Sequence, residues 1–211
     1  MRLRHLTLAA GLAGLSFAAG TFAAPAPQED ARAQEEMPSM DEIMAAYMAA
    51  GAVGEHHGHL EAFVGTWDAT STFWNAPDEP PMEANGVMVN EMTLGGRFLK
   101  QSYTSEIMGQ DFEGHSLWGY SNNDECYKSI WIDNMTTDLT FSTGYCSEDH
   151  KTFTMMGSQT NPMFGNREQY EDVCKIDDDN HHSFIRYMIL EDGSKVKSME
   201  IVYTRRAEGG R

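Results

Sequence analysis

From Trp67 to Arg206 the chain is a succession of short runs in which apolar and polar residues alternate at every second position. A period of two sends alternate side chains to opposite faces of a sheet, so each run reads as a strand with one face for a core and one for solvent. The candidates are "TWDATSTFW", "NGVMVNEMTL", "GRFLKQSYTSEI", "FEGHSLWGYS", "ECYKSIWID", "DLTFSTGYC", "KTFTMMGSQ", "REQYEDVCKI", "HSFIRYMIL" and "KVKSMEIVYTRR". Turn chemistry separates them: Asn75 to Pro81, Gly95-Gly96, Asn122-Asn123-Asp124, Asp177 to Asn180, and "EDGS". No stretch after Trp67 has a helical period. Ten antiparallel strands, each beside the last, make an up-and-down meander, and closing it removes two exposed edges. The expected fold is therefore all-β: an up-and-down barrel of about ten antiparallel strands over residues 65–206.

Short helices precede the barrel, in residues 39–64. "SMDEIMAAYMAAG" opens with a capping box, Ser39 and Glu42, and sets Met40, Met44, Tyr47 and Met48 at helical spacing before Gly51. This methionine stripe reads as an adaptable packing face, with a cover over the barrel mouth as the other reading. A second short helix is expected from His57 to Val64, with Leu60 and Phe63 as apolar anchors.

Upstream, Arg2, Arg4 and His5 precede an apolar run, Leu6 to Phe22, that ends in small residues. Residues 1–23 read as a signal peptide cut after Thr21-Phe22-Ala23; the run is too short and too rich in Ala and Gly for a membrane span. The mature protein is expected in the periplasm or outside the cell. Residues 24–38, rich in Pro, Ala and acid, read as a flexible linker, and 207–211 as a tail.

The formal charge of the whole chain is −17. Removing the signal takes away two arginines and leaves 13 basic against 32 acidic residues, or −19. Nucleic acid and anionic lipid are bound by neutralising phosphates with Lys and Arg, so both are set aside as partners.

Of the three cysteines, Cys126 and Cys146 flank the turn "DNMTTD" at similar distances, and a hairpin could bridge them. His56, His57 and His59 crowd into "HHGH". Adjacent residues on a helix point about 100° apart, and Gly58 interrupts the run, so the three do not converge on one ion. They read as solvated or capping histidines, and no metal site is assigned; a distant carboxylate or His115 would have to join them to make one.

Four blocks, "GEHHGHLEAFVGTWDATSTFW", "LGGRFLKQSY", "LWGYSNNDECYKSIWIDNM" and "YMILEDGSKVKSMEIVYTRR", together resemble the bacterial family filed as domain of unknown function 1579. That family is in turn similar to the calycins, the lipocalins and fatty-acid-binding proteins among them. The resemblance implies a Gly-x-Trp opening the first strand, here Gly65 and Trp67, and an arginine near the end of the last, Arg205 or Arg206, stacked over the Trp as a cation–π pair. Some similar barrels, the nitrobindins, bind heme through a histidine late in their chain. His181 and His182 are late, but they adjoin the turn "DDDN" and read as solvated; no cofactor is assigned.

If Trp67 points inward, so do Ala69, Ser71 and Phe73, and the last strand adds Met199, Ile201 and Tyr203. On two further strands Trp131 shares a face with Asp133, and Arg186 with Phe184. If these faces are also internal, Asp133, Arg186, His115 and Glu168 are charged groups in an apolar cup, walled by Trp131 and Tyr170. Buried charges need partners, either one another or the polar head of a ligand. These six residues form the candidate ligand site. Met155, Met156 and Met163 read as packing or surface.

Three functions fit: a binding barrel for a small hydrophobic or amphipathic molecule, which is favoured; an enzyme using Asp133, Glu168 or His115 as acid or base in the cup; or an interaction module with a filled interior. Against the enzyme stands the lack of a nucleophile elbow, HExxH or phosphate loop, and no catalytic residue is assigned.

Overall fold

The computed structural model describes residues 37–74 and 80–207. The segment read as a signal peptide, most of the one read as a linker, residues 75–79 of the first turn and most of the segment read as a tail lie outside them.

Ten antiparallel strands form a closed barrel in sequence order: β1 (Gly65–Phe73), β2 (Met82–Thr93), β3 (Phe98–Ile107), β4 (Gln110–Ser121), β5 (Cys126–Asp133), β6 (Thr140–Cys146), β7 (Thr152–Thr160), β8 (Arg167–Asp178), β9 (His181–Ile189) and β10 (Lys195–Arg205). The alternation works as the pattern requires. On β1, Trp67, Ala69 and Ser71 are buried while Asp68 and Thr70 are exposed. The seam joins β1 to β10, with Trp67 opposite Arg205 and Phe73 opposite Met199.

Before the barrel stand a helix α1 (Met40–Ala50), a single turn α2 (Glu55–Gly58) and a 3-10 turn η1 (His59–Phe63), where one helix from His57 was expected. The capping box is formed: Ser39 Oγ accepts from the Glu42 amide, and Glu42 accepts from the Ser39 amide at 2.8 Å.

η1 plugs one end of the barrel. Leu60 and Phe63 insert among Leu99, Trp118, Tyr127, Phe153 and Met155, each apolar side chain contributing about 1.5–3 kcal/mol by leaving water. The Phe63 carbonyl, which ends the turn, accepts from Trp67 Nε1 at 2.8 Å and Asn90 Nδ2 at 2.9 Å, so the plug is tied to β1 and β2. A second cluster, Trp67, Ala69, Met88, Tyr103 and Tyr203, lies further along the interior.

The methionine stripe departs from expectation. No residue of α1 is buried, and Met44 and Tyr47 are exposed. The helix is anchored instead by its C-terminus, where Asn122 Nδ2 donates to the Ala50 and Ala52 carbonyls and Arg97 Nε to Gly51. Asn122 and Arg97 belong to turns at the plugged end, so α1 does not cover the opposite mouth. Among the described residues no helix is long and apolar enough to cross a membrane.

Candidate functional site: a cavity inside the barrel

Beyond the plug the interior holds a cavity of about 380 Å³. Its floor includes Phe63, Trp118 and His182; Phe112, Trp131 and Met199 supply apolar wall; Phe73, Ile107 and Met135 line it toward the end away from the plug. Two buried hydroxyl pairs, Ser71 with Tyr103 at 3.0 Å and Ser142 with Tyr170 at 2.9 Å, satisfy each other within the wall. Trp118 Nε1 and His182 Nδ1 are buried without a hydrogen-bond partner in residues that line the cavity.

The one internal ion pair among the described residues is Asp172 with Arg186. Register sets it, because β8 and β9 place the two directly opposite. Arg186 Nε donates to Asp172 Oδ1 at 2.7 Å and Nη2 to Oδ2 at 2.8 Å, a two-pronged grip. The guanidinium also lies 4.0 Å from the centroid of the Tyr170 ring. Burial pushes the Asp172 carboxyl above its usual range, against the pull of Arg186; the guanidinium keeps its proton, since burial's tendency to remove it is outweighed by the hydrogen bonds to Asp172.

Of the residues singled out from sequence, Trp131, Asp133, Tyr170 and Arg186 line this cavity. Asp133 is a rim residue. It accepts from Trp131 Nε1 at 2.9 Å and from the amides of Met135 and Thr136, so it holds the turn after β5 and meets no cation. His115 and Glu168 are not in the lining. His115 points outward between two buried neighbours, Gly114 and Ser116, and bonds Ser102 and Glu113. Glu168 accepts from Asn161 at the β7–β8 turn. Asp172, the actual partner of Arg186, was missed, although alternation from Tyr170 signals it.

His182 also departs from the reading as solvated. It is buried, stacked on Trp67 at 4.3 Å and edge-on to Tyr203, because the register sets it opposite Tyr203 and Ile176 on the inner face. Burial, and then the nearby Arg205 charge, hold its pKa down to about 4. His181 is exposed and bonded to Asp178.

A sequence profile for the family described as protein of unknown function (DUF1579) matches residues 52–205. The chain belongs to that family. Among solved structures, this DUF1579 chain is similar to the crystal structure of Rv2717c from M. tuberculosis, at 13% identity over 74% of this chain and 100% of that one, with a TM-score of 0.52. A redesigned beta barrel aligns at 16% identity over 74% of this chain and 100% of that one, with a TM-score of 0.38. At such identities the first likeness concerns the fold alone. Comparison with curated proteins gives no match.

In this DUF1579 barrel Arg205, not Arg206, lies over Trp67, 4.0 Å from the ring centroid, and donates to the Val64 carbonyl at 2.6 Å. Gly65 has φ +130°, and a Cβ there would strike the Arg205 guanidinium, so the position needs glycine for both backbone and space. Arg206 pairs outside with Asp68. All three cysteines are free, and the bridge between Cys126 and Cys146 is not formed. The β5–β6 register pairs Tyr127 with Gly144, which puts Cys126 opposite position 145; Cys146 is one place off and on the other face. Cys174 lines the cavity near Asp172, and burial drives its thiol pKa up, which makes it a poor nucleophile.

Proposed function

We propose that this protein is an exported, calycin-like barrel that binds one small amphipathic molecule, its apolar body against Phe112, Trp131 and Met199 and an anionic head on Arg186. The observation that carries this reading is an apolar-walled cavity of about 380 Å³ lined by a bonded ion pair. That volume lies within the range of small-molecule sites, about 300–1,000 Å³, and apolar walls with a few converging polar groups are how such sites bind and orient a ligand.

A filled barrel has little use for such a pair, because well-packed apolar replacements are commonly as stable or more so. Arg186 also retains donor capacity. Its Nη1 makes a single long contact, 3.4 Å to Gln159, and a carboxylate or phosphate head would use it at full strength. The amino-terminal charge and apolar pattern of residues 1–23 supports export, and the Arg205–Trp67 stack supports the calycin-like reading.

The test is native mass spectrometry of the mature protein from its own exported fraction, compared with the same sample after denaturation and organic extraction. The expected result is a reproducible added mass, lost on denaturation, that extracts as an amphipathic acid. A clean mass on its own, together with no saturable uptake of long-chain carboxylates by the stripped protein, would refute the reading.

A further inference from the structure

We infer that the plugged end of the barrel carries a metal site for a thiophilic divalent cation of the zinc type, held by His59, Cys146 and His150. It is independent of the cavity and at the opposite end of the barrel from its outer lining.

The three residues come from separate segments. His59 opens η1, Cys146 ends β6, and His150 sits in the β6–β7 turn with φ 57°. One ligand atom from each, two imidazole nitrogens and the thiol sulfur, lie within 4.8 Å of one another. Tetrahedral zinc, with bonds of about 2.0–2.3 Å, sets its ligand atoms about 3.3–3.8 Å apart, so closure asks for a shift of about 1 Å. Most of that movement falls to His150, whose side chain is exposed and stacked on His59 with centroids 4.0 Å apart. Because an imidazole lone pair lies in the ring plane, that ring has to leave the stack to share an ion with His59.

The hydrogen bonds prepare His59 as a ligand. Tyr127 OH donates to the His56 carbonyl at 3.0 Å, so toward His59 it can only accept. His59 Nδ1, 3.0 Å from that oxygen, must be the donor. The neutral ring is thereby fixed with its hydrogen on Nδ1 and the Nε2 lone pair free. Outer-shell contacts of this kind orient metal-binding histidines and select their tautomer. Glu55 Oε1 is 3.9 Å from Nε2, on an exposed side chain able to swing in as a fourth ligand or to hold a water there.

Two imidazoles and one thiolate suit a borderline cation such as Zn²⁺ better than Mg²⁺ or Ca²⁺, which prefer oxygen. Binding releases the Cys146 thiol proton to solvent, and no electron is transferred. The consequence is structural: the ion joins the plug, through His59, to the β6–β7 hairpin.

Cobalt(II) titration of the reduced full-length mature protein tests this. One Co²⁺ per chain is expected, with thiolate-to-metal charge transfer and tetrahedral ligand-field bands, both removed by added Zn²⁺. Cys146→Ser should abolish the charge-transfer band. His150→Ala, at an exposed position that leaves the fold intact, should weaken Co²⁺ affinity by more than about a hundredfold, beyond the loss of an outer-shell partner. Circular dichroism confirms the fold of each variant. The inference is overturned if the wild type takes up no Co²⁺ or Zn²⁺, if the band survives Cys146→Ser, or if it disappears with Cys126→Ser or Cys174→Ser instead.

Discussion

Arg186 and Asp172 face each other across β8 and β9, and the guanidinium donates two parallel hydrogen bonds to the carboxylate, 2.7 and 2.8 Å long, inside a largely apolar wall. Removing one member leaves the other charged and buried, a change that typically costs about 3–5 kcal/mol. Asp172→Ala should therefore destabilise the barrel by about that much, and Asp172→Leu with Arg186→Met should cost clearly less than the single change. Urea unfolding of the three proteins measures this; equal losses in single and double variants would mean that packing, not charge, governs the pair.

His182 makes the fold acid-sensitive. Its pKa is about 4 in the folded protein, from burial first and Arg205 second, against about 6.5 unfolded. Below 6.5 the unfolded chain binds a proton that the folded chain resists. The contribution is therefore full above pH 6.5 and fades as the pH falls toward 4, by roughly 3 kcal/mol in all. His182→Phe should flatten that part of the stability curve, as seen by unfolding at pH 7 and pH 4.5; parallel curves for wild type and variant would count against a neutral buried imidazole.

Gly157 lies under the Tyr170 ring, and a Cβ there would collide with it. Since Tyr170 supports the Arg186 guanidinium, Gly157→Ala should displace both, cost about 1–3 kcal/mol by overpacking, and weaken uptake of an anionic amphiphile. The comparison with Gly165→Ala, where a Cβ meets nothing, separates crowding from backbone effects only in part, because Gly165 has φ +69°. Gly58→Ala, with open space and no positive φ, is the cleaner control and should be close to neutral.

Arg205→Lys keeps the charge and discards the plane. Arg205 stacks on Trp67 and donates to the carbonyls of Val64, Asp179 and Ala62. A lysine cannot reproduce that fork, so a loss of about 1–3 kcal/mol is expected, with a changed Trp67 environment visible in near-ultraviolet circular dichroism. An unchanged spectrum would show that charge alone suffices.

The barrel was legible because alternation and turn chemistry are local, and all ten strands fall on the runs that carry them. Inner faces followed from the same alternation: once Trp67 was placed inside, Ser71, Met199 and Tyr203 had to follow. Contacts set by register were not legible. Glu168, Tyr170 and Asp172 share one face of β8, and only the offset between β8 and β9 decides that Arg186 meets Asp172 while Glu168 turns to Asn161. The register runs unbroken from Asp172–Arg186 through Cys174–Phe184 to Ile176–His182, which keeps His182 within and leaves His181 outside. His59 and His150 are ninety-one positions apart in the chain, and nothing in "HHGH" announces its distant neighbours.

The seam between β1 and β10 has a bearing on how the molecule is made. Arg206 bonds Asp68 across 138 residues of sequence, and the β1 edge has no other strand to close against. A nascent or truncated chain that stops short of β10 is therefore an open sheet with two unsatisfied borders, each a template for a neighbouring copy. Completion of the barrel has to wait for its last strand, and loss of β10 turns a closed sheet into one prone to polymerise edge to edge.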